Sequence, residues 1–220
     1  MAKIVILGAG ISGHTAAAHL RRKLSKEHEV IVVSPNRNYQ WVPSNIWVGI
    51  GRMKSKEIIF PLEPLYKRKG IGYKQSKAVS FHPEGDRTET KPYILVEGVY
   101  GDTLGKQEKV TYDYLINATG PKLAFDLTEG LVPGTNKAYS VCTYDHAEHA
   151  SEALLKLIAE MKKSDKKVKI LIGTGHAKST CQGAAFEYIL NVEKELVNHG
   201  VRDKAEITWI SNEYYLGDFG

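Results

Sequence analysis

Lys3-Ile4-Val5-Ile6-Leu7-Gly8-Ala9-Gly10-Ile11-Ser12-Gly13 is the stretch that decides the fold. Its five leading residues form a short, unbroken apolar run ending in glycine, the pattern of a parallel strand buried on both faces. The glycines then follow the spacing G-x-G-x-x-G. Gly8 permits the tight turn, Gly10 lets a pyrophosphate approach the backbone, and Gly13 lets the next helix pack on the strand with its first amides toward the phosphates. A glycine turn without a ligand is the alternative. The position between a strand and a helix argues against it.

Working outward, the spacing predicts a helix over residues 13–26. The β-branched run His28-Glu29-Val30-Ile31-Val32-Val33 reads as a second strand, completing a βαβ unit of dinucleotide-binding length. Such units usually place an acid after the second strand to hold a ribose, but here Ser34-Pro35-Asn36 stands instead. The hydroxyl of Ser34 and the amide of Asn36 are able to hydrogen-bond a ribose without a carboxylate's charge, which tilts away from plain NAD. Ala118-Thr119-Gly120-Pro121, at the end of a later strand, provides another close backbone approach or a simple turn.

Residues 34–60 are rich in aromatics and broken by Pro35, Pro43, Gly49 and Gly51, and read as a long functional loop. A short helix is expected over 61–69 and a strand over 70–73. Residues 76–82, 91–98 and 107–112 alternate as in a small antiparallel sheet, with a turn near Glu84-Gly85-Asp86, and Tyr114-Leu115-Ile116-Asn117 is again a buried strand. Helical spacing over 145–163 puts Ala147, Ala150, Leu154, Ile158 and Met161 on one face.

Val168-Lys169-Ile170-Leu171-Ile172 then runs into Gly173-Thr174-Gly175, a second strand-to-glycine turn. A helix over about 180–199 and a strand over 207–210 give it a second βαβ half. That half looks unfinished, because the chain stops at Gly220, ten residues after its last strand, whereas a doubly wound sheet normally has five or six strands. The expected fold is α/β, a Rossmann-like nucleotide-binding domain followed by an incomplete second Rossmann-like domain. The expected division is 1–125, a connecting segment with a helix at 126–166, and 167–220.

Composition sets the outer bounds. With 42% hydrophobic and 25% charged residues among 220, the chain is an ordinary globular one, which excludes a disordered protein. No apolar run approaches the roughly 18 residues of a membrane span, and Met1-Ala2-Lys3-Ile4 leads into a strand rather than a signal peptide, so a cytoplasmic start is expected. The net charge of +5 gathers at Lys67-Arg68-Lys69 and in the run 162–167. These clusters are either solvated faces or attractions for anionic headgroups, and without interleaved aromatics they do not suggest nucleic acid. Two cysteines without a secretory signal do not form a disulfide framework, and with eight histidines they show no paired metal-ligand spacing.

The order of the pieces resembles the sulfide:quinone oxidoreductases, flavoproteins related in fold to the glutathione reductase group. The resemblance runs along essentially the whole chain, as the N-terminal half of such a protein. It rests on Gly8-Ala9-Gly10, Val42-Pro43-Ser44-Asn45 with Trp47-Val48-Gly49, Phe60-Pro61-Leu62, Tyr112-Asp113-Tyr114-Leu115 and Ala118-Thr119-Gly120-Pro121-Lys122-Leu123. More restrictive are Ser140-Val141-Cys142-Thr143, Asp145-His146-Ala147-Glu148 and Cys181-Gln182-Gly183-Ala184-Ala185-Phe186-Glu187-Tyr188, because they surround both cysteines. It implies FAD as cofactor, bound around Gly8, Gly10, Ser12, Gly13, Ser34, Asn36, Ser44, Ala78, Thr119 and Gly120. It also implies sulfide as electron donor, quinone as acceptor, and sulfane sulfur growing on cysteine. A third cysteine, the quinone pocket and the helices that meet an anionic membrane surface would follow beyond this chain, making the protein peripheral to the membrane. Assembly as a homo-oligomer is left open.

Under this resemblance the catalytic residues are Cys181, Cys142, Glu187 and His146. From the residues alone, Cys181 lies one to two positions into a helix, where helix amides and Lys178 or His176 favour a thiolate; the other reading is a buried structural cysteine. Cys142 precedes a helix whose start is marked by Thr143 or Asp145. The resemblance gives it either a part in sulfur handling or a covalent hold on the flavin. Glu187 sits nearly two turns beyond Cys181, and only the resemblance makes it an acid–base group rather than a surface glutamate. His146 is a proton-handling candidate or a satisfied structural histidine. At the second glycine turn, Lys178 occupies the place of a third glycine, which disfavours NADH. The rival expectations are a type II NADH:quinone dehydrogenase and a flavin-binding remnant without catalysis.

Overall fold

The computed structural model describes residues 1–176, 178–179 and 181–215. Ala177, Thr180 and residues 216–220, at the expected start of the last helix and in the tail, lie outside the described residues. The chain divides into two compact units, Met1–Gln40 with Ile59–Lys122, and Trp41–Ile58 with Leu123–Gly220.

The first unit is built on β1 (Lys3–Leu7), α1 (Ile11–Lys23) and β2 (Glu29–Ser34), the βαβ unit expected from the opening motif. β5 (Gly72–His82), β6 (Tyr93–Gly98), β7 (Gln107–Thr111) and β8 (Tyr114–Asn117) extend the sheet to six strands in the order β7-β6-β5-β2-β1-β8, with β3 and β4 described below. β1, β2, β5 and β8 are parallel, while β6 and β7 continue antiparallel. Alternation divides the core. Ile4, Ile6, Val30 and Val32 face Ala17, Leu62 and Tyr66 on one side, and Val5, Leu7 and Val33 face Ile94, Val96 and Val110 on the other.

Three expectations change here. Residues 70–73 and 76–82 are one strand: β5 pairs with β2 through Gln75, then with β6 from Ser76, bulging between Ala78 and Ser80. α1 begins at Ile11 rather than Gly13, because Gly10 is already its extended N-cap. Residues 34–60 are not one loop. β3 (Asn38–Gln40) pairs antiparallel with β4 (Ile59–Pro61), which leads into α3 (Leu62–Lys69), and α2 (Asn45–Gly49) lies between the paired strands in sequence.

The second unit holds α4 (Tyr144–Lys162), β9 (Val168–Gly173), α5 (Gln182–Asn198) and β10 (Ala205–Ile210), with α2 in the same unit. β9 and β10 form a two-stranded parallel sheet. The five residues that spacing places on one face of α4 are all buried. Leu154, Ile158 and Met161 join Val192, Leu196, Ala205 and Ile50 in one core. The buried Glu195 takes a two-pronged hydrogen-bonded ion pair from Arg52, at 2.8 and 2.9 Å, fastening the 41–58 segment to α5.

Candidate functional site

In the first unit the parallel strands β1, β2 and β8 end together, and that carboxyl edge is where an open α/β sheet binds its ligand. The amide of Gly8 donates to the Val33 carbonyl at 2.8 Å and the amide of Ala118 to the Leu7 carbonyl at 2.8 Å, so the ends of all three strands are laced together. Gly8 has φ +96°, and a Cβ there would lie 2.2 Å from the Ala118 carbonyl oxygen. A Cβ on Gly13 would come 2.0 Å from the Gly8 carbonyl oxygen, so the start of α1 presses directly on the turn. At Gly10, by contrast, a Cβ would meet nothing within 4 Å. The two tight glycines shape the turn and the open one leaves room for a phosphate.

The neighbouring candidates lie along the same edge. Ser34 is buried at the end of β2, where its hydroxyl accepts from the amide of Asn36 at 3.3 Å, while Asn36 is exposed. Thr119 and Gly120 follow β8 and are exposed, and the Thr119 hydroxyl donates to Asn117 Oδ1 at 2.9 Å. Ser12 is exposed in the first turn of α1. Ala78 is half-buried on β5, about 10 Å past the Ser34–Gln75 pair at the usual strand rise. The structure thus gathers Ser12, Ser34, Asn36, Thr119 and Gly120 with the glycine turn along one edge, while Ala78 lies farther along β5, paired with Val96 of β6. Ser44 lies in the second unit, half-buried just before α2.

In the second unit both cysteines are free, exposed and at helix starts. Cys142 immediately precedes Thr143, the N-cap of α4, whose side-chain oxygen accepts from the His146 amide at 3.4 Å. The same hydroxyl holds the Asp145 carboxyl below its usual range, helped by backbone amides there. Cys181 is the N-cap of α5 rather than a residue inside it, at the positively polarised end of a 17-residue helix. The His176 ring accepts the Lys178 amide through Nδ1 at 3.0 Å, so a neutral ring carries its proton on Nε2.

Glu187 is exposed, and six residues of helix carry it about 9 Å beyond Cys181 and onto another face. His146 packs edge-on against Phe125 at 5.3 Å, and its buried Nδ1 has no partner among the described residues. Among the described residues no cluster of three or more metal-ligating side chains occurs.

Sequence reasoning did not single out Tyr188 or assign a packing role to Gly49, which join the two cysteine-bearing segments. A Cβ on Gly49 would lie 2.7 Å from Val141, the residue before Cys142, and 3.1 Å from the ring of Tyr188 on α5. Tyr188 also donates to the Gly49 carbonyl at 3.1 Å, and burial pushes its hydroxyl pKa up, keeping it a donor. A glycine inside an apolar run was the available signal.

A dinucleotide-type glycine turn at the carboxyl edge of parallel strands in one unit, and two exposed thiols at helix starts in the other, are the parts a flavin-dependent oxidoreductase needs. The family model described as pyridine nucleotide-disulphide oxidoreductase matches residues 2–185, and the chain belongs to that family. The family is enzymatic and its members of this kind bind FAD. The chain is 32% identical over 221 residues to the sulfide-quinone reductase of Aquifex aeolicus, covering 100% of this chain and 45% of that protein. It is 28% identical over 211 residues to the mitochondrial sulfide:quinone oxidoreductase of Dictyostelium discoideum, covering 95% and 42%. The X-ray structure of the Aquifex aeolicus sulfide:quinone oxidoreductase superposes with a TM-score of 0.79 at 28% identity, over 100% of this chain and 45% of that one. The resemblance read from the motifs therefore stands, and the chain spans less than half the length of these relatives.

The residues present fit the adenine-dinucleotide part of FAD. Gly10 is open, Thr119 and Gly120 are exposed, and Ser34 and Asn36 carry neutral polar groups, so phosphates and a ribose would find room and uncharged partners there.

Proposed function

We propose that this chain is the flavin-nucleotide part of an enzyme that oxidises sulfide to sulfane sulfur and passes the electrons to quinone. The observation that carries this reading is the pair of exposed thiols, each at the start of a helix, in a chain 32% identical to a sulfide-quinone reductase along its whole length. Bound FAD supplies the two-electron acceptor between sulfide and quinone. It would be held by Gly8, Gly10, Ser12, Gly13, Ser34, Asn36, Ala78, Thr119 and Gly120 of the first unit.

In this reading Cys181 offers its sulfur at the helix terminus as the attachment point for sulfide-derived sulfur, and Cys142 takes part in handling the growing chain. Joining hydrosulfide to the Cys181 thiolate as an S–S bond would release one proton, to a nearby base, and two electrons, for which bound FAD would be the acceptor. In this reading His146, whose buried Nδ1 has no partner among the described residues, takes the proton, with Glu187, nearly two turns along α5 from Cys181, as the other candidate. Quinone as acceptor and work at a membrane surface belong to the same proposal. No described helix is long and apolar enough to cross a membrane.

Anaerobic stopped-flow on the intact flavoprotein tests the reading. Sulfide should bleach the flavin and NADH should not. Cys181→Ser should abolish sulfide-driven bleaching while the flavin stays bound. Bleaching by NADH alone rejects the donor, and a wild-type rate in Cys181→Ser makes that cysteine structural.

A further inference from the structure

The family name implies a pyridine nucleotide as well, and the turn after β9 is where a second doubly wound half would carry it. Gly173, Gly175 and Lys178 repeat the spacing of Gly8, Gly10 and Gly13, so the two turns can be compared position by position. At Gly10 a Cβ would meet nothing within 4 Å. At Gly175 it would lie 2.0 Å from Leu131 Cδ1, so an apolar side chain rests where a pyrophosphate would approach the backbone.

The covering segment is tied down. The Thr128 hydroxyl donates to the Gly175 carbonyl at 3.2 Å, and the Leu131 amide donates to the Thr128 carbonyl at 3.2 Å, closing a short turn over the glycine. The polar groups nearby are also engaged. Asn212, two residues after β10 where a ribose-binding side chain would stand, accepts from the Thr174 hydroxyl and the Gln182 amide through Oδ1, both at 3.1 Å. A pyridine dinucleotide does not fit this turn as it stands.

We propose that Leu131, anchored through Thr128, is a specificity-determining plug that shuts pyridine nucleotides out of the second glycine turn. The proposal deepens the sulfide reading and rests on it only for the identity of the true donor. Leu131 is 40% exposed, so its truncation removes the plug without emptying a core site. Neither Leu131 nor Thr128 belongs to the flavin cradle or the cysteine segments.

The test is a titration of the flavin-loaded protein with NADH, read by nicotinamide fluorescence and calorimetry. The wild type should show no saturable binding up to about 1 mM, the upper end of ordinary substrate affinities. Leu131→Ala should bind saturably and at least tenfold more tightly than that limit. Thr128→Ala, which keeps the leucine but releases its anchor, should show a smaller gain and covers the case in which Leu131→Ala folds poorly. Saturable binding of NADH by the wild type, or no gain in a folded variant of either kind, overturns the plug. Sulfide-driven bleaching measured on the same samples should be equal in all three proteins. Its absence from the wild type would reject the sulfide reading while leaving the NADH comparison intact.

Discussion

At the scale of single residues, three glycines within one motif carry different loads. A Cβ at Gly13 would collide with backbone, the Gly8 carbonyl oxygen at 2.0 Å, whereas a Cβ at Gly10 would collide with nothing, and Gly10's extended φ of −72° suits any residue. Gly13→Ala should therefore destabilise the first unit by about 1–3 kcal/mol, the usual cost of overpacking. Gly10→Ala should leave stability within about 0.5 kcal/mol of wild type yet weaken flavin binding tenfold or more, since only the approach of the ligand is obstructed. Denaturant melts beside flavin titrations separate the two. A Gly10→Ala protein that holds flavin as well as wild type would mean the phosphates lie elsewhere. These roles were legible in the sequence because each is a local consequence of a missing Cβ. Leu131 was not legible: its partner Gly175 is far along the chain, and nothing in the spacing around Leu131 marks it.

At the scale of elements, legibility followed length and periodicity. The 19-residue α4 declared its buried face, and β1 declared itself by an unbroken apolar run. The segment from Asn38 to Pro61 did not, because its strands are three residues long and α2 five, too short for any period to repeat. The pairing of Asn38 with Pro61 and Gln40 with Ile59 joins residues about twenty apart that only the folded chain brings together. Within α2, Gly49 is wedged between Val141 and Tyr188, so the two cysteine-bearing segments meet through a position with no room for a side chain. Gly49→Ala should cost the second unit about 1–3 kcal/mol. Adding Val141→Ala, which removes the nearest obstructing methyl group, should restore part of that loss in a double-mutant cycle. Strictly additive losses would show that the two residues do not press on each other.

At the scale of the whole molecule, sequence order and compact units disagree over residues 41–58. They interrupt the first unit in sequence, yet Ile50 is buried in the same core as Leu154 and Leu196, and Arg52 is paired to the buried Glu195 of α5. Sequence reading had no means to assign the segment, since membership is decided by a few contacts far apart along the chain. If the segment belongs energetically where its core residue lies, it should open with α4, β9, α5 and β10 rather than with β1 and β2. Leu196, fully buried on α5, offers the lever: Leu196→Ala should cost about 2–5 kcal/mol through the cavity it leaves. In native-state hydrogen exchange, amides of α2 should then accelerate together with those of α4 and α5, while β1, β2 and β5 keep their protection. Should α2 keep its protection with β1 and β2 while α5 loses its own, the arginine–glutamate pair and Ile50 would be contacts without cooperative weight. The segment holding Ser44 would then belong, in stability, to the nucleotide-binding sheet.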